Sequence, residues 1–262
     1  MTNTKTRKRV LLSSVAMLLV ALVALGSATF AWFNTKNSAD AHTIKAQTTK
    51  GSDISLSETG AGGWTHDLTF TNNTLANTQA ITPVTTSDFS NWNYVLAAQY
   101  DSGYASASYT AVNDPTNAPT FIKYGVIYVK SNKDQEVKVT PQVTMESGHE
   151  MAKEYLRVAF VPMATTETNV TQKPFDGNII WSTDNEDRSA ETNGWNASGQ
   201  PAHSIITTVN NFTQTSLGTF QANEIAGYKI YVWVEGTDFE CIDSNSGVTA
   251  SVSFAFAGTV NS

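Results

Sequence analysis

The segment Val248-Thr249-Ala250-Ser251-Val252-Ser253-Phe254-Ala255-Phe256 alternates apolar side chains with small or hydroxyl-bearing ones. Successive side chains of a β-strand point to opposite faces, so this alternation predicts a strand with one buried face and one wet face. The segment Gly227–Glu235 has the same pattern, with four large apolar side chains on one face. Both segments are typical of antiparallel strands that cover a core on one side only.

The rest of the chain carries shorter strand patterns of the same kind. They lie at 53–57, 66–70, 121–130, 137–145 and 158–162. Pro141 falls inside one of them and indicates an edge or a bulge, because proline cannot donate a ladder hydrogen bond. One short helix is predicted over 146–156, while 74–119 and 165–200 have the composition of loops. The predicted fold class is all-β: an antiparallel β-sandwich or jelly roll with long loops and a minor helix.

The start of the chain predicts export. The basic stretch Lys5-Thr6-Arg7-Lys8-Arg9 precedes an uncharged apolar run, Val10–Ala28, which is long enough to span a bilayer as a helix. Small residues follow the run and place a cleavage site between Ala31 and Trp32. Residues 1–31 are therefore expected to be a signal peptide or, if they are not cut, an N-terminal membrane anchor. Either outcome leaves the rest of the chain outside the cell, since the basic residues stay cytoplasmic.

Charge and cysteine content narrow the class of protein. Without residues 1–31 the chain loses four of its 16 basic residues and none of its 23 acids, which leaves a formal charge of −11. Such a surface repels nucleic acid and anionic lipid, so we expect neither as a partner. Cys241 is the only cysteine, so no disulfide can form within the chain. An exported chain of this kind indicates a bacterial surface, of the Gram-positive type.

The domain organisation follows from these patterns. We assign 1–31 to the leader, 32–52 to an extended N-terminal segment and 53–262 to the β-domain. The N-terminal segment is polar, and Ile44 is its only large aliphatic residue after Phe33. Such a segment is either a flexible tail or an extended strand that needs a partner.

No combination of residues in the sequence argues for catalysis. The stretch His149-Glu150-Met151-Ala152-Lys153 begins like the zinc-peptidase motif His-Glu-x-x-His, but Lys153 replaces the second histidine ligand. The acidic stretch Thr183-Asp184-Asn185-Glu186-Asp187 does not have the spacing of an EF-hand. The sequence also lacks a convincing nucleophile elbow or phosphate-binding loop. We therefore expect no catalytic residue, no metal site, no cofactor and no enzyme activity.

Three tryptophans offer an alternative function. Trp64, Trp92 and Trp195 lie in Gly- and Asn-rich surroundings, as aromatic residues that stack on sugars often do. Tryptophans also close the ends of β-sandwich cores, so both roles remain open at this point. The alternative is a cell-surface binding module that recognises a glycan or a host protein through Trp92 or Trp195.

Both ends of the chain resemble a known family. The stretch Ala28-Thr29-Phe30-Ala31-Trp32-Phe33-Asn34, with Ser38 and the later Ser52-Asp53-Ile54-Ser55-Leu56-Ser57, resembles the TasA/camelysin group of Firmicute secreted proteins. The stretch Val232–Cys241, followed by Gly247 and the closing strand 248–256, is similar to the ending of clostridial relatives. The likeness covers about a quarter of the chain.

The resemblance implies a jelly-roll domain and extracellular fibres in the biofilm matrix. In such fibres the N-terminal segment of one subunit adds as a strand to its neighbour's sheet. The corresponding segment here is Asn34–Thr48, and the residues expected to mediate assembly are Phe33, Asn34, Ile44 and Ala46. The expected partners are identical chains or other matrix proteins, and a dedicated signal peptidase during export. Camelysin is described as a peptidase, so a metallopeptidase is a further alternative, against which the incomplete His149 motif argues.

Overall fold

The computed structural model describes residues 17, 39–49, 53–71, 74–76, 80–86, 88–95, 109–112, 121–145, 152–173, 175, 177–183, 211–236 and 249–259. The chain divides into two compact units, Met1–Asn37 and Ser38–Ser262. The cleavage site at Ala31 and Trp32 lies outside the described residues, as do Phe33, Asn34 and Trp195. In the part of the chain that the structure describes, no helix has the length and hydropathy needed to cross a membrane.

Fourteen strands among the described residues form three sheets. They are β1 Ala39–Thr48, β2 Ile54–Ser57, β3 Asp67–Thr69, β4 Ala80–Ile81, β5 Thr85–Thr86, β6 Trp92–Val95, β7 Tyr109–Ala111, β8 Lys123–Ser131, β9 Gln135–Met145, β10 Leu156–Pro162, β11 Ile179–Trp181, β12 Thr215–Phe220, β13 Ile225–Val234 and β14 Thr249–Thr259. Sheet A has the order β12-β9-β14-β1-β3, with β4 also paired to β1, and sheet B has the order β11-β10-β13-β8-β2. Sheet C is the small sheet β5-β6-β7. The all-β prediction is therefore confirmed.

Sheets A and B pack face to face around the main core. The alternating segment identified in the sequence forms β14, where Val252, Phe254 and Phe256 are fully buried while Ser251 is exposed. The ring centroids of Phe254 in sheet A and Phe160 in sheet B are 4.9 Å apart. Burial of such large side chains is the main stabilising term of the sandwich, at roughly 25 cal/mol per Å² of apolar surface.

From Ile230 onward, strand β13 of sheet B is buried on both faces, which corrects the prediction of one wet face for Gly227–Glu235. Tyr231, Trp233 and Glu235 lie on the face expected to be wet, yet they are 5%, 1% and 2% exposed. Val84 and Phe89, from the region of sheet C, pack against this outer face in a second apolar cluster. Because the covering residues come from a distant part of the sequence, the alternation within β13 could not predict that its second face is buried.

Two other local predictions are refined by the structure. Of the helix predicted over 146–156, residues 146–151 lie outside the described part of the chain, and Ala152–Tyr155 forms the helical turn α1. Leu156 instead opens β10, whose residues from Leu156 to Phe160 are all buried, a pattern that favours a central strand over a helix. Pro141 lies on β9 beyond Val139, where the pairing with β12 ends, so it occupies the edge position that its missing N–H requires.

Candidate functional site

The N-terminal strand β1 lies inside sheet A, between β14 and β3. It runs parallel to β14, with Ala46 opposite Phe254, and antiparallel to β3, with Ala46 opposite Leu68. The register with β14 shifts between His42 and Lys45. The segment expected to serve as a donor strand therefore completes the sheet of its own chain in this structure.

Hydrogen bonds fix the end of β1. The amide of Thr48 donates to the carbonyl of His66 at 2.8 Å, and the amide of Thr49 donates to the carbonyl of Phe256 at 2.8 Å. The Thr49 hydroxyl donates to the same Phe256 oxygen, also at 2.8 Å. These bonds set the point at which the chain leaves sheet A.

Few apolar side chains hold β1 in place. Of its side chains that the structure describes, those of residues 44–48, only Ile44 and Ala46 are buried, each at 1% exposure. Lys45 and Gln47 point to the other face and are exposed. Ile44 and Ala46, which the sequence predicts to pack into a neighbouring chain, therefore fill the core of their own chain in this structure.

The connectivity of β1 differs from that of a hairpin strand. The next strand along the chain, β2, pairs with β8 in sheet B, so the chain crosses from one sheet to the other within residues 49–53. The partners of β1 are reached only after many residues, and β14 begins at Thr249. No tight turn of the described chain ties β1 to the strands that it contacts.

Two edge strands of the main sheets, β12 in sheet A and β2 in sheet B, are protected along part of their length. Edge strand β12 has an irregular register between Ser216 and Gly218, and the Gln172 side-chain amide donates to the Thr219 carbonyl at 3.2 Å. On the opposite side, Leu56 and Thr65 exchange backbone hydrogen bonds of 2.8 and 2.9 Å, which join β2 to the chain leading into β3. Bulges and covered amides of this kind discourage the addition of a foreign strand at an edge.

Trp92 is enclosed and cannot serve as the stacking surface predicted for it. It is 2% exposed, and its indole N–H donates to the Phe89 carbonyl at 3.2 Å. The rings of Tyr231 and Trp233 lie with centroids 5.7 and 5.5 Å from that of Trp92. Of the two roles left open by the sequence, this burial favours the closing of a core end. Trp64 is half-buried, with the Lys130 ammonium 5.9 Å from its ring centroid.

The described residues contain no group of three His, Cys, Asp or Glu side chains placed to hold a metal ion. His149 and Glu150 lie outside the described residues, and Ala152 opens the single turn α1.

Arg157 is a buried charge that the sequence did not single out. It is 4% exposed, and its guanidinium donates to the Glu154 carbonyl and to the Ser182 hydroxyl. The Ser182 hydroxyl in turn donates to the Glu154 carbonyl at 3.0 Å. This arrangement satisfies the open carbonyl at the end of α1 and ties it to β10 and to the end of β11, which is a structural role.

A partly open strip on the outer face of sheet B was also missed. Tyr124 lies opposite Tyr231, and Val126 lies opposite Lys229, across β8 and β13. Val161 on β10 flanks Lys229 on the other side. We call the residues Tyr124, Val126, Val161, Glu167, Lys229 and Tyr231 the tyrosine strip. All of them except Tyr231 are half-buried.

Two covers bound the tyrosine strip. At one end the rings of Phe89 and Trp92 pack against Tyr231, with their centroids 5.3 and 5.7 Å from the centroid of the Tyr231 ring. At the other end Met163 and Val170 pack on the sheet in a separate cluster. Gly227 makes that contact possible, because a Cβ there would lie 2.7 Å from the Met163 sulfur.

Charge within the strip is balanced and held in place. The Glu167 carboxylate lies 3.1 Å from the Lys229 ammonium, and its other oxygen accepts the Ala164 amide at 2.9 Å. Burial, and then the Glu167 and Tyr128 charges, raises the pKa of Tyr124. Burial raises the pKa of Tyr231 more strongly, with smaller contributions from Tyr124 and Glu167. Both phenols therefore remain neutral hydrogen-bond donors at physiological pH.

Comparisons with known proteins give no relative: no family model, no curated protein and no solved structure matches the chain.

Proposed function

We propose that this protein is a secreted, non-enzymatic structural component of a cell surface or biofilm matrix, built on a jelly-roll domain, which assembles by exchange of β1 between copies. The observation that carries the proposal is the placement of β1. It is the first strand described in the unit Ser38–Ser262, it fills a slot between β14 and β3, and no hairpin of the described chain ties it to either. A second copy of β1 fits the same slot with the same register.

The balance of interactions in the slot supports exchange. Backbone hydrogen bonds supply much of the attachment, and any copy of the strand makes the same ones. Among the described side chains of β1, the two that are buried contribute modestly, because full burial of one aliphatic residue such as Ile44 is worth about 1.5–3 kcal/mol. Exchange re-forms all of these contacts in the neighbour, so its equilibrium depends mainly on concentration and on the link at 49–53.

The protected edges favour exchange over edge addition. A fibre could also grow by pairing β12 of one copy with an edge of the next. The irregular register of β12 and the Gln172 contact oppose that route. The internal slot of β1 offers a strand from another copy hydrogen-bonding partners on both sides, β14 and β3.

Export and partners complete the proposal. The leader 1–31 sends the chain out of the cell, with a signal peptidase as its transient partner, and the membrane is contacted only through this segment before cleavage. The lasting partners are identical chains or other matrix proteins. The acidic balance of the sequence is in keeping with a chain that does not bind nucleic acid.

A disulfide lock tests the exchange. Lys45 and Ser253 are register partners on β1 and β14, and neighbouring strands lie about 4.8 Å apart, within the range for a disulfide. The double variant Lys45→Cys/Ser253→Cys is made in a Cys241→Ser background and oxidised as a monomer. We expect it to remain monomeric in electron micrographs and light scattering, and to form fibres once a reductant is added.

The matched control is Thr140→Cys/Ala255→Cys in the same background, which locks β9 to β14. Exchange of β1 leaves those two strands in one chain, so this variant should assemble whether oxidised or reduced. If the oxidised Lys45→Cys/Ser253→Cys variant forms fibres as fast as the reduced variant does, exchange of β1 is ruled out. Failure of every variant to assemble, reduced or not, would remove the fibre proposal itself.

A further inference from the structure

We propose that the tyrosine strip is a binding site for a neutral oligosaccharide. This inference does not depend on the exchange of β1, because the strip lies on the outer face of sheet B while β1 belongs to sheet A. It also differs from the site expected at Trp92, which is buried.

The aromatic part of the strip is rigid. Tyr231 is held by Phe89 and Trp92 behind it, and Tyr124 packs against Tyr231 with centroids 5.1 Å apart. Rings that are already fixed lose little conformational entropy when a ligand binds. Tyr124 remains half-buried, so part of its side chain stays open to a ligand. The C–H face of a pyranose ring is an apolar surface of the kind that an aromatic side chain covers.

The polar part of the strip determines the class of ligand. The Glu167–Lys229 pair supplies acceptors and donors with no net charge. Tyr124, the more exposed of the two tyrosines, adds a neutral hydroxyl that can donate or accept a hydrogen bond. An anionic ligand would meet the Glu167 carboxylate and an acidic protein, and a cationic ligand would meet the Lys229 ammonium. An uncharged ligand with many hydroxyls and an apolar face fits both parts.

The length of the strip indicates an oligosaccharide and not a single sugar. Along β8, Tyr124 and Tyr128 are four residues apart, a distance of about 13 Å in a strand. Tyr128 lies with Met163 and Val170 in the cover at the far end. Val126 and Val161 form the apolar floor between the two covers, and both are half-buried.

The experiment is a calorimetric titration of the purified protein. The neutral probes are soluble β-1,4-glucan, β-1,3-glucan and starch oligosaccharides, and a polyuronate is the charged comparison. We expect at least one neutral probe to bind and the polyuronate to bind at least tenfold more weakly. Tyr124→Ala should weaken binding of that probe about tenfold, since an aromatic contact of this kind is lost. Tyr124→Phe, which keeps the ring, should retain most of the affinity.

The structure offers a matched control for the charged pair. Glu136 and Lys138 on sheet A are 3.1 Å apart, and their side chains are 29% and 30% exposed, against 32% and 33% for Glu167 and Lys229. Glu167→Gln should weaken binding, and Glu136→Gln should leave it unchanged. Circular dichroism and denaturant midpoints establish that each variant is folded.

Three results would overturn the proposal. They are no binding of any neutral probe, preferential binding of the polyuronate, and neutral binding that survives Tyr124→Ala in a folded variant. Because the assembly assay is separate, each of these leaves the proposal for β1 untouched.

Discussion

Ala46 on β1 lies in parallel register with Phe254 on β14, and the two side chains are 1% and 0% exposed. The first and last strands described in the unit Ser38–Ser262 thus lie next to each other in sheet A. Phe254 also reaches Phe160 in the opposite sheet. Phe254 therefore contacts both β1 and the opposite layer of the sandwich.

Truncation of Phe254 should be strongly destabilising. Phe254→Ala removes a fully buried ring at the contact between sheets A and B, and the expected loss is about 3–5 kcal/mol of unfolding free energy. Ser251, on the exposed face of the same strand, is the control, and Ser251→Ala should change stability by about 0.5 kcal/mol or less. Urea denaturation measures both, and equal effects would contradict the assignment of the inner face.

A side chain at Gly125 should destabilise the folded protein. A Cβ at this position would overlap the Leu75 side chain, which is 1% exposed. Gly125→Ala is therefore expected to cost about 1–3 kcal/mol through overpacking. At Gly62 a Cβ would have no atom within 4 Å, so Gly62→Ala should be nearly neutral. The comparison of denaturant midpoints checks the pair, and a neutral Gly125→Ala would show that Leu75 is not seated there.

Trp92 should behave as a core residue. Trp92→Ala removes a ring that contacts Phe89, Tyr231 and Trp233, and the expected cost is about 3–5 kcal/mol of stability. A ligand-stacking residue at the surface would instead lose binding with little change in stability. Thermal and chemical unfolding of the variant distinguishes the two, and an unchanged midpoint would restore the stacking role.

Stability should fall at high pH because of buried tyrosines. Burial raises the pKa of Tyr228 well above its usual value. In the unfolded chain tyrosine loses its proton near pH 10, so above that pH the unfolded state binds fewer protons than the native state. The contribution of Tyr228 to the unfolding free energy should therefore be constant below about pH 10 and decrease as the pH rises beyond it. This is measured by urea denaturation across pH 8 to 12.

Tyr228→Phe is the test of that cause. It removes the titrating group and keeps the ring, so the decrease above about pH 10 should become shallower. The variant also loses the hydrogen bond of 3.4 Å from the Tyr228 hydroxyl to the Leu217 carbonyl, a small and pH-independent effect. An identical pH profile in the variant would place the dependence elsewhere.

The two candidate sites differ in how far the sequence reveals them. Ile44 and Ala46 were identified as side chains that fill a pocket, because they are apolar residues in a polar segment, and they are buried in the structure. Their strand partners could not be found from the segment itself, since β14 lies some 200 residues away. The tyrosine strip was missed, because its residues come from β8, β10, β13 and a loop, each with an unremarkable local pattern.

By itself the sequence determined the all-β class and the buried face of β14, because a period-two alternation is a local property that any strand with one wet face must show. It also predicts a leader, from a charge pattern and an apolar length that are readable without a fold. The parallel pairing of β1 with β14, the burial of Trp92 and the cover on the second face of β13 became visible only in the folded chain. Each of these depends on contacts between segments far apart in the chain, and the free energy of such contacts is not encoded in any one segment.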